Sequence, residues 1–284
     1  MSNSGGGPRP EFGALVPLPA PSNERSPEAL VRQNDGGARS NLISTRVRPV
    51  SFALEAPFDA RLVFTDRDAR RASAFRTLRQ RLLDGGGIHS ILCTSANSGE
   101  GTTTLAANLA LSFSELGRFR VLLIEANFRR SSLAALFGFV PPAGFRSQIA
   151  RHRLYPDEPW AVVQIGPPAL SILAVEPHAC PRCSAALPVW ARFCGACGAT
   201  IDGVGALADG AGVNAAIASL REVFDFVIID GPSVLSSGDI NVIQDSADAI
   251  VMATRRGQSD ERSLGRAIEQ VAPAPLAGVV LLDA

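Results

Sequence analysis

Apolar residues along this chain form two alternating patterns. Short continuous apolar runs are typical of strands covered on both faces, and they predict strands at residues 90–94, 120–125, 171–175, 226–229, 249–253 and 278–282. Helical spacing of apolar residues predicts helices at residues 68–83, 102–116, 131–137, 145–152, 213–224 and 260–271. Strands that alternate with helices predict an α/β fold, a mostly parallel sheet covered by helices on both faces.

Two stretches break this alternation. Residues 1–57 are rich in Pro, Gly, Ser, Asn and Arg and show no periodicity, so we expect a disordered N-terminal tail. Residues 177–206 shift to Cys, Pro and Gly in the middle of the α/β pattern, which predicts a small insertion. The α/β domain is then predicted to comprise residues 58–176 and 207–284.

Composition narrows the class of protein. The 284 residues are 46% hydrophobic and 19% charged with a formal net charge of zero, so nothing predicts a nucleic-acid partner. No apolar run is long enough to span a bilayer, and the N-terminus lacks the apolar core of a signal peptide. We therefore expect a cytoplasmic protein, associated with a membrane only through a partner.

A candidate phosphate-binding loop lies at residues 90–104, which read SILCTSANSGEGTTT. An apolar strand leads into a glycine turn and a helix start, and this is the context that a P-loop requires. Glycines let backbone N–H groups turn toward an anion, and the helix N-terminus adds partial positive charge. The predicted ligand-binding residues are Ser98, Gly99, Glu100, Gly101, Thr102, Thr103 and Thr104.

The loop lacks its usual cation. Thr103 stands where a hydroxyl would bind Mg²⁺, but Thr102 occupies the position of the P-loop lysine. All 27 basic residues of the chain are arginine, which by itself fits an arginine-favouring genome. One charge about 4 Å from a phosphate is worth about 4 kcal/mol at an effective dielectric constant near 20. That energy corresponds to roughly a thousandfold in affinity. Arg129 or Arg130 can in principle replace the missing charge.

The order of motifs resembles the bacterial tyrosine kinases of capsule and exopolysaccharide export, relatives of the MinD and ParA ATPases. Residues 99–103, GEGTT, resemble the family's G-E-G-K-[ST], and residues 121–130, VLLIEANFRR, resemble a motif ending D-x-D-x-R-R. Residues 224–233, FDFVIIDGPS, resemble the Walker B segment, and residues 74–79, AFRTLR, resemble a subunit-contact helix. The resemblance covers residues 61–283 without the cysteine-rich stretch.

The resemblance implies ligands, partners and site residues. ATP and Mg²⁺ would bind at the loop, with Asp230 and Glu125 as the catalytic acids and Asn127 near the nucleotide. The family implies a membrane partner, a co-polymerase that sets polysaccharide chain length. It also implies self-association through the helix bearing Arg76 and Arg79, although solvated helix arginines are an equally good interpretation. Asp230 can also be a turn cap, and the loop a retained scaffold turn.

Several positions depart from the family pattern. Glu125 and Asn127 replace two aspartates, and Ser73 replaces the glutamate of the contact motif. Leu282 stands where the related ATPases often carry an asparagine that reads adenine. The 284 residues contain a single tyrosine, Tyr155, whereas the family phosphorylates a C-terminal tyrosine cluster. Because several parts of a phosphoryl-transfer site are changed together, we predict weak or absent catalysis.

The inserted stretch carries a second candidate site. Cys180, Cys183, Cys194 and Cys197 form two Cys-x-x-Cys pairs, and four thiolates satisfy tetrahedral Zn²⁺ without leaving an open position. The spacing therefore predicts a structural zinc ribbon rather than two disulfides or a redox dithiol. The fifth cysteine, Cys93, fits a small buried strand residue.

Three functions follow from these patterns. The first is a degenerate, kinase-like regulator of polysaccharide polymerisation and export. The second is a working ATPase or tyrosine kinase with a rearranged phosphate site. The third is an adaptor in which the zinc ribbon binds a partner and the α/β domain serves as a mount. We favour the first.

Overall fold

A computed structural model describes residues 46–53, 62, 69–166, 170–176, 179–180, 182–185, 187, 191–201 and 210–282. The side chains of residues 69 and 70 are not part of that description. The strands are β1 (Val47–Phe52), β2 (Ser90–Ser95), β3 (Val121–Glu125), β4 (Trp160–Ile165), β5 (Leu170–Leu173), β6 (Phe226–Asp230), β7 (Ala249–Arg255) and β8 (Leu276–Leu282). The helices are α1 (Ala69–Asp84), α2 (Thr102–Ser114), α3 (Leu133–Phe137), α4 (Phe145–His152), α5 (Gly210–Arg221), α6 (Ile240–Ile243) and α7 (Glu261–Val271).

The described strands form one eight-stranded sheet in the order β1-β4-β5-β3-β6-β2-β7-β8. Strands β5, β3, β6, β2, β7 and β8 run parallel to one another. β4 pairs antiparallel with β5 and parallel with β1, so β1 and β4 run opposite to the other six strands. The predicted mostly parallel sheet is confirmed.

Helices cover both faces of the sheet, which explains the continuous apolar runs in its strands. Ile91 and Cys93 of β2 pack into a core with α1, α2 and α3, while Leu92 packs on the opposite face with α4, α5 and α7. Cys93 is fully buried, as predicted. A strand buried on both faces cannot alternate apolar and polar residues, because each side chain meets a helix layer.

One sequence-based prediction is wrong in part, and two strands, β1 and β4, were not predicted. β1 lies inside the stretch expected to be a disordered tail; residues 1–45 lie outside the described residues. β1 is extended because its backbone pairs along its whole length with β4, from Val47 opposite Trp160 to Phe52 opposite Ile165. Only Val47 of β1 is buried, so its sequence carries little apolar signal.

None of the described helices has both the length and the apolar composition needed to cross a membrane.

Candidate functional site

The candidate phosphate site lies at the carboxyl ends of three adjacent strands, β3, β6 and β2, with β6 in the middle. The loop from Ala96 to Gly101 follows β2 and leads into α2. Glu125 ends β3 directly opposite Asp230, which ends β6. Parallel strands place their carboxyl ends at one edge of the sheet, where open α/β folds bind ligands.

Loop conformation depends on two glycines with left-handed backbone angles, Gly99 with φ 93° and Gly101 with φ 97°. Such angles are strained for residues that carry a Cβ. The buried carboxylate of Glu100 accepts hydrogen bonds from the backbone N–H of Asn97 at 3.0 Å and from its side-chain amide at 3.2 Å. The loop is therefore closed on itself through Glu100.

The two threonines at the start of α2 point to different partners. Thr102 donates from its hydroxyl to the Ser95 hydroxyl at 2.8 Å, so the side chain in the lysine position bonds back to the end of β2. The Thr103 hydroxyl lies 3.1 Å from the Ser132 hydroxyl, at the start of α3. Thr104 is half-buried, and its backbone carbonyl accepts from the Asn108 amide.

Asp230 is fully buried, and neither of its carboxylate oxygens has a hydrogen-bond partner among the described residues. Burial raises the pKa of Asp230 well above its ordinary value, the neighbouring Glu125 carboxylate raises it further, and the nearby Thr103 hydroxyl partly offsets both. The Thr103 hydroxyl lies near the Asp230 carboxylate but forms no hydrogen bond of normal geometry with it. The structure gives no turn-capping bond from Asp230, and buried unpaired carboxylates are costly.

Glu125 is equally buried, but its carboxylate is satisfied. One oxygen accepts from the backbone N–H groups of Ser132 and Leu133, the latter at 2.9 Å, and so caps the start of α3. The other accepts from the N–H of Val175 at 2.8 Å, just beyond β5. Burial raises the pKa of Glu125 against the effect of these three donors. Glu125 therefore has a structural task that occupies both of its oxygens.

The turn after β3 carries the two candidate arginines. Asn127 accepts the backbone N–H of Arg130 at its side-chain oxygen, 3.2 Å away. Arg130 extends to the phosphate loop, where its Nη1 donates to the Ser98 hydroxyl. Arg129 instead forms an ion pair with Asp239, Nε to Oδ2, at 3.5 Å.

Leu282, at the end of β8, lies against the phosphate loop. A Cβ added to Gly101 would be 2.5 Å from the Leu282 Cδ1 atom, so only glycine fits here without movement of that side chain. An apolar side chain therefore lies at the loop position nearest to the start of α2.

The helix expected to mediate subunit contacts is tied to its own chain. Arg76 of α1 donates from Nε to Glu115 at 2.7 Å, and Arg79 donates to the Ser112 carbonyl from a nearly buried position. The hydrogen bond from Arg76 lowers the pKa of Glu115. These bonds join α1 to the end of α2, so both arginines form contacts within their own chain.

The four cysteines of the inserted stretch lie together. Their Sγ atoms are all within 4.8 Å of one another, and Cys180 and Cys197 are 3.6 Å apart, as are Cys183 and Cys194. Thiolates around a tetrahedral zinc at about 2.3 Å would be roughly this far apart. The four cysteines could therefore hold one metal ion.

The two Cys-x-x-Cys turns have the same backbone geometry. The N–H groups of Ser184 and Gly198 bond at 2.8 Å to the carbonyls of Cys180 and Cys194, and both residues have left-handed angles, φ 59° and 70°. Ser184 is the one non-glycine residue with positive φ in the described part of the chain. The first turn thus adopts the glycine conformation without a glycine.

The thiols titrate as a connected group. Burial raises the pKa of Cys180, but hydrogen bonds from the backbone N–H groups of Arg182 and Cys183 and from the thiols of Cys197 and Cys194 together outweigh it and lower that pKa to about 6. For Cys197, burial and the other thiols outweigh the backbone N–H of Ala199 and raise the pKa to about 12. Four thiolates this close need a cation to ionise together.

Similarity to known proteins bears on the phosphate site. No protein-family model matches the chain. Tyrosine-protein kinase CpsD of Streptococcus pneumoniae serotype 4 is 28% identical over 197 residues, which span 66% of this chain and 72% of that protein. Tyrosine-protein kinase YwqD of Bacillus subtilis is 24% identical over 216 residues, 74% of this chain and 79% of that protein. The chain is a relative of bacterial tyrosine-protein kinases.

Solved structures agree on the fold. The kinase domain of the Escherichia coli tyrosine kinase ETK superimposes with a TM-score of 0.62 at 17% identity, covering 81% of this chain and 82% of that one. The chimerical protein CapA2B2 gives 0.62 at 18% identity, over 86% of this chain and 98% of that one. These likenesses confirm the predicted α/β fold with its mostly parallel sheet.

Three residues of the site had no assigned role in the sequence-based prediction: Ser95, Ser132 and Val175. Ser95 belongs to the predicted loop segment, but nothing in its spacing predicts the bond to Thr102. Ser132 and Val175 reach the site through tertiary packing, and a single sequence gives no signal for that.

Proposed function

We propose that this kinase relative is a regulatory protein of capsular or exopolysaccharide polymerisation and export, with weak or absent phosphoryl transfer. The observation that carries the proposal is the Thr102 hydroxyl, which is bonded to Ser95 where the family loop carries a lysine. No ammonium group is then available to follow the charge that develops on a transferred phosphoryl group. Glu125, engaged by three backbone N–H groups, is unavailable as a second acid.

The remaining parts of the site support ligand binding. The glycine loop, the N-terminus of α2 and the unpaired Asp230 carboxylate beside Thr103 suit a Mg²⁺-bound phosphate ligand such as ATP. When bound, Mg²⁺ would supply charge neutralisation, with Thr103 and Asp230 as its protein contacts. The proposed partner is a membrane co-polymerase, as the resemblance to the kinase family implies.

Turnover measurements on the purified chain test this proposal. We expect no phosphotyrosine on the chain or on an added tyrosine peptide, and ATP hydrolysis within a few-fold of the Asp230→Ala control, with Mg²⁺ or Mn²⁺. Thr102→Lys should raise turnover if lysine alone is missing. Hydrolysis well above background that Asp230→Ala abolishes would contradict the proposal and favour an active kinase.

The cysteine stretch supports a second, compatible role. We assign zinc to the four thiols, in a closed structural site. Phe193 lies between the two cysteine pairs and is 66% exposed, outside the small core formed by Cys180, Cys194 and Ile201. The other large aromatic of the inserted stretch, Trp190, lies outside the described residues. An exposed aromatic on a rigid ribbon is typical of a protein contact, so Phe193→Ala should weaken partner binding while metal content stays unchanged.

A further inference from the structure

The guanidinium of Arg130 lies at the phosphate loop and has no task in the function proposed above. Its Nη1 donates to the hydroxyl of Ser98, the residue that opens the glycine turn, although the two are 32 residues apart in sequence. The fold brings Arg130 close to Ser98, because β3 and β2 end at the same edge of the sheet with only β6 between them.

The backbone of Arg130 is fixed by hydrogen bonds, whereas its guanidinium is bound to a neutral group. Its N–H bonds to Asn127 at both the side-chain oxygen, 3.2 Å, and the carbonyl, 3.3 Å, which fixes the turn that presents the side chain. Within the described ranges no carboxylate forms an ion pair with Arg130, whereas the adjacent Arg129 is paired with Asp239. An arginine bound only to a neutral hydroxyl keeps its charge and most of its donors for a ligand.

A second, independent feature points to a ligand between these groups. Both oxygens of Asp230 are buried and unpartnered next to the Thr103 hydroxyl. A buried carboxylate without a partner is costly, and a bound cation relieves that cost. A cation at Asp230, beside Thr103, and an arginine at Ser98 of the glycine loop match a polyphosphate that carries Mg²⁺.

We propose that Arg130 supplies the positive charge that Thr102 cannot, so that the loop binds a Mg²⁺-bound nucleoside polyphosphate. This inference rests on the proposed function for the site and adds how the ligand is recognised. Guanidinium forks match phosphate oxygens with paired hydrogen bonds. Arg130 approaches from Ser98, at the beginning of the loop, rather than from the first turn of α2. It therefore binds the anion without restoring the lysine's position, which fits binding without turnover.

Binding of a fluorescent ATP analogue, mant-ATP with Mg²⁺, to the full chain tests the proposal. Arg130→Ala should weaken binding roughly 10- to 100-fold, the range expected for one charge-assisted contact. Arg129→Ala is the matched control, because it removes the same charge one residue away, and it should change affinity less than about twofold. Inorganic tripolyphosphate should compete in the wild type and compete poorly in Arg130→Ala. Thermal unfolding confirms that each variant is folded.

A rescue separates this proposal from the proposed function. Thr102→Lys added to Arg130→Ala should recover most of the lost affinity, because it returns a cation to the loop. Equal affinity of wild type and Arg130→Ala, equal losses in both arginine variants, or no mant-ATP binding by the wild type would each overturn the role of Arg130. None of these results would establish phosphoryl transfer, whereas a phosphotyrosine product would sink the proposed function and leave the Arg130 result standing.

Discussion

The phosphate loop and the cysteine-rich stretch are both candidate sites for charged ligands, but only the cysteine-rich stretch has a complete set of ligand groups. All four thiols lie within 4.8 Å of one another, and both turns repeat the same backbone hydrogen bonds. The loop keeps its glycines and Asp230 but has Thr102 bonded to Ser95 in place of a cation. The contrast teaches that four identical thiols at fixed spacing are enough for a candidate metal site, whereas a phosphate loop can keep its spacing and glycines and still lose the charge of one side chain.

Removing a ribbon cysteine should give the largest effect. We expect the wild type to contain one zinc ion per chain and Cys180→Ser to lose it, because structural zinc contributes on the order of 10 kcal/mol to folding such small modules. Metal analysis and limited proteolysis measure this, and Cys93→Ser serves as the control. The α/β domain should keep its cooperative unfolding, and global unfolding of Cys180→Ser would mean that the ribbon supports the whole chain.

The Glu125 carboxylate tests how much of the phosphate site is now structural. Glu125→Gln places an amide N–H₂ opposite the backbone N–H groups of Ser132, Leu133 or Val175, so at least one buried donor loses its acceptor. We expect a loss of about 2–3 kcal/mol in the free energy of unfolding, measured by urea denaturation. A neutral result would show that Glu125 is not needed as a cap and is available for chemistry.

Asp230 should behave in the opposite way. In the absence of ligand, Asp230→Asn should increase stability by about 1–2 kcal/mol at neutral pH, because it removes an unpaired buried charge. Since the folded pKa lies above the unfolded one, the folded state holds the proton more tightly, and stability falls as pH rises from near 4 through that raised pKa. Denaturation at several pH values should show this fall in the wild type and its reduction in Asp230→Asn. A less stable variant at neutral pH would refute the unpaired-charge argument.

Ser184 gives the smallest expected effect. Glycine adopts φ 59° without a Cβ penalty, so Ser184→Gly should stabilise the ribbon by about 1 kcal/mol. Slower transfer of zinc to a chelator would measure this gain in stability. Ser112→Gly provides the contrast, because glycine within the helix α2 should lower the stability of the α/β domain. Unchanged zinc release would mean that the serine side chain compensates for the strained turn.

Local sequence features predicted part of this structure, and tertiary contacts account for the rest. The glycine loop and the cysteine pairs were predictable because each lies within a short segment whose spacing carries its chemistry. The bonds from Arg130 to Ser98 and from Glu125 to Val175 join residues 32 and 50 positions apart, and no single segment contains both partners. β1 was missed for a similar reason, because its extended conformation depends on pairing with β4 rather than on its own sequence.

Glu125 also forms a bridge between the two halves of this comparison. Its carboxylate holds Ser132, which touches Thr103 of the phosphate loop, and on its other oxygen holds Val175, just before the chain leaves for the ribbon. Three successive hydrogen bonds thus connect Thr103, at the phosphate loop, to Val175, which precedes the cysteine-rich stretch. A ligand that draws Thr103 away from Ser132 would break the first of these hydrogen bonds. The bond from Glu125 to Val175 would then depend on how well the packing of α3 keeps Ser132 in position.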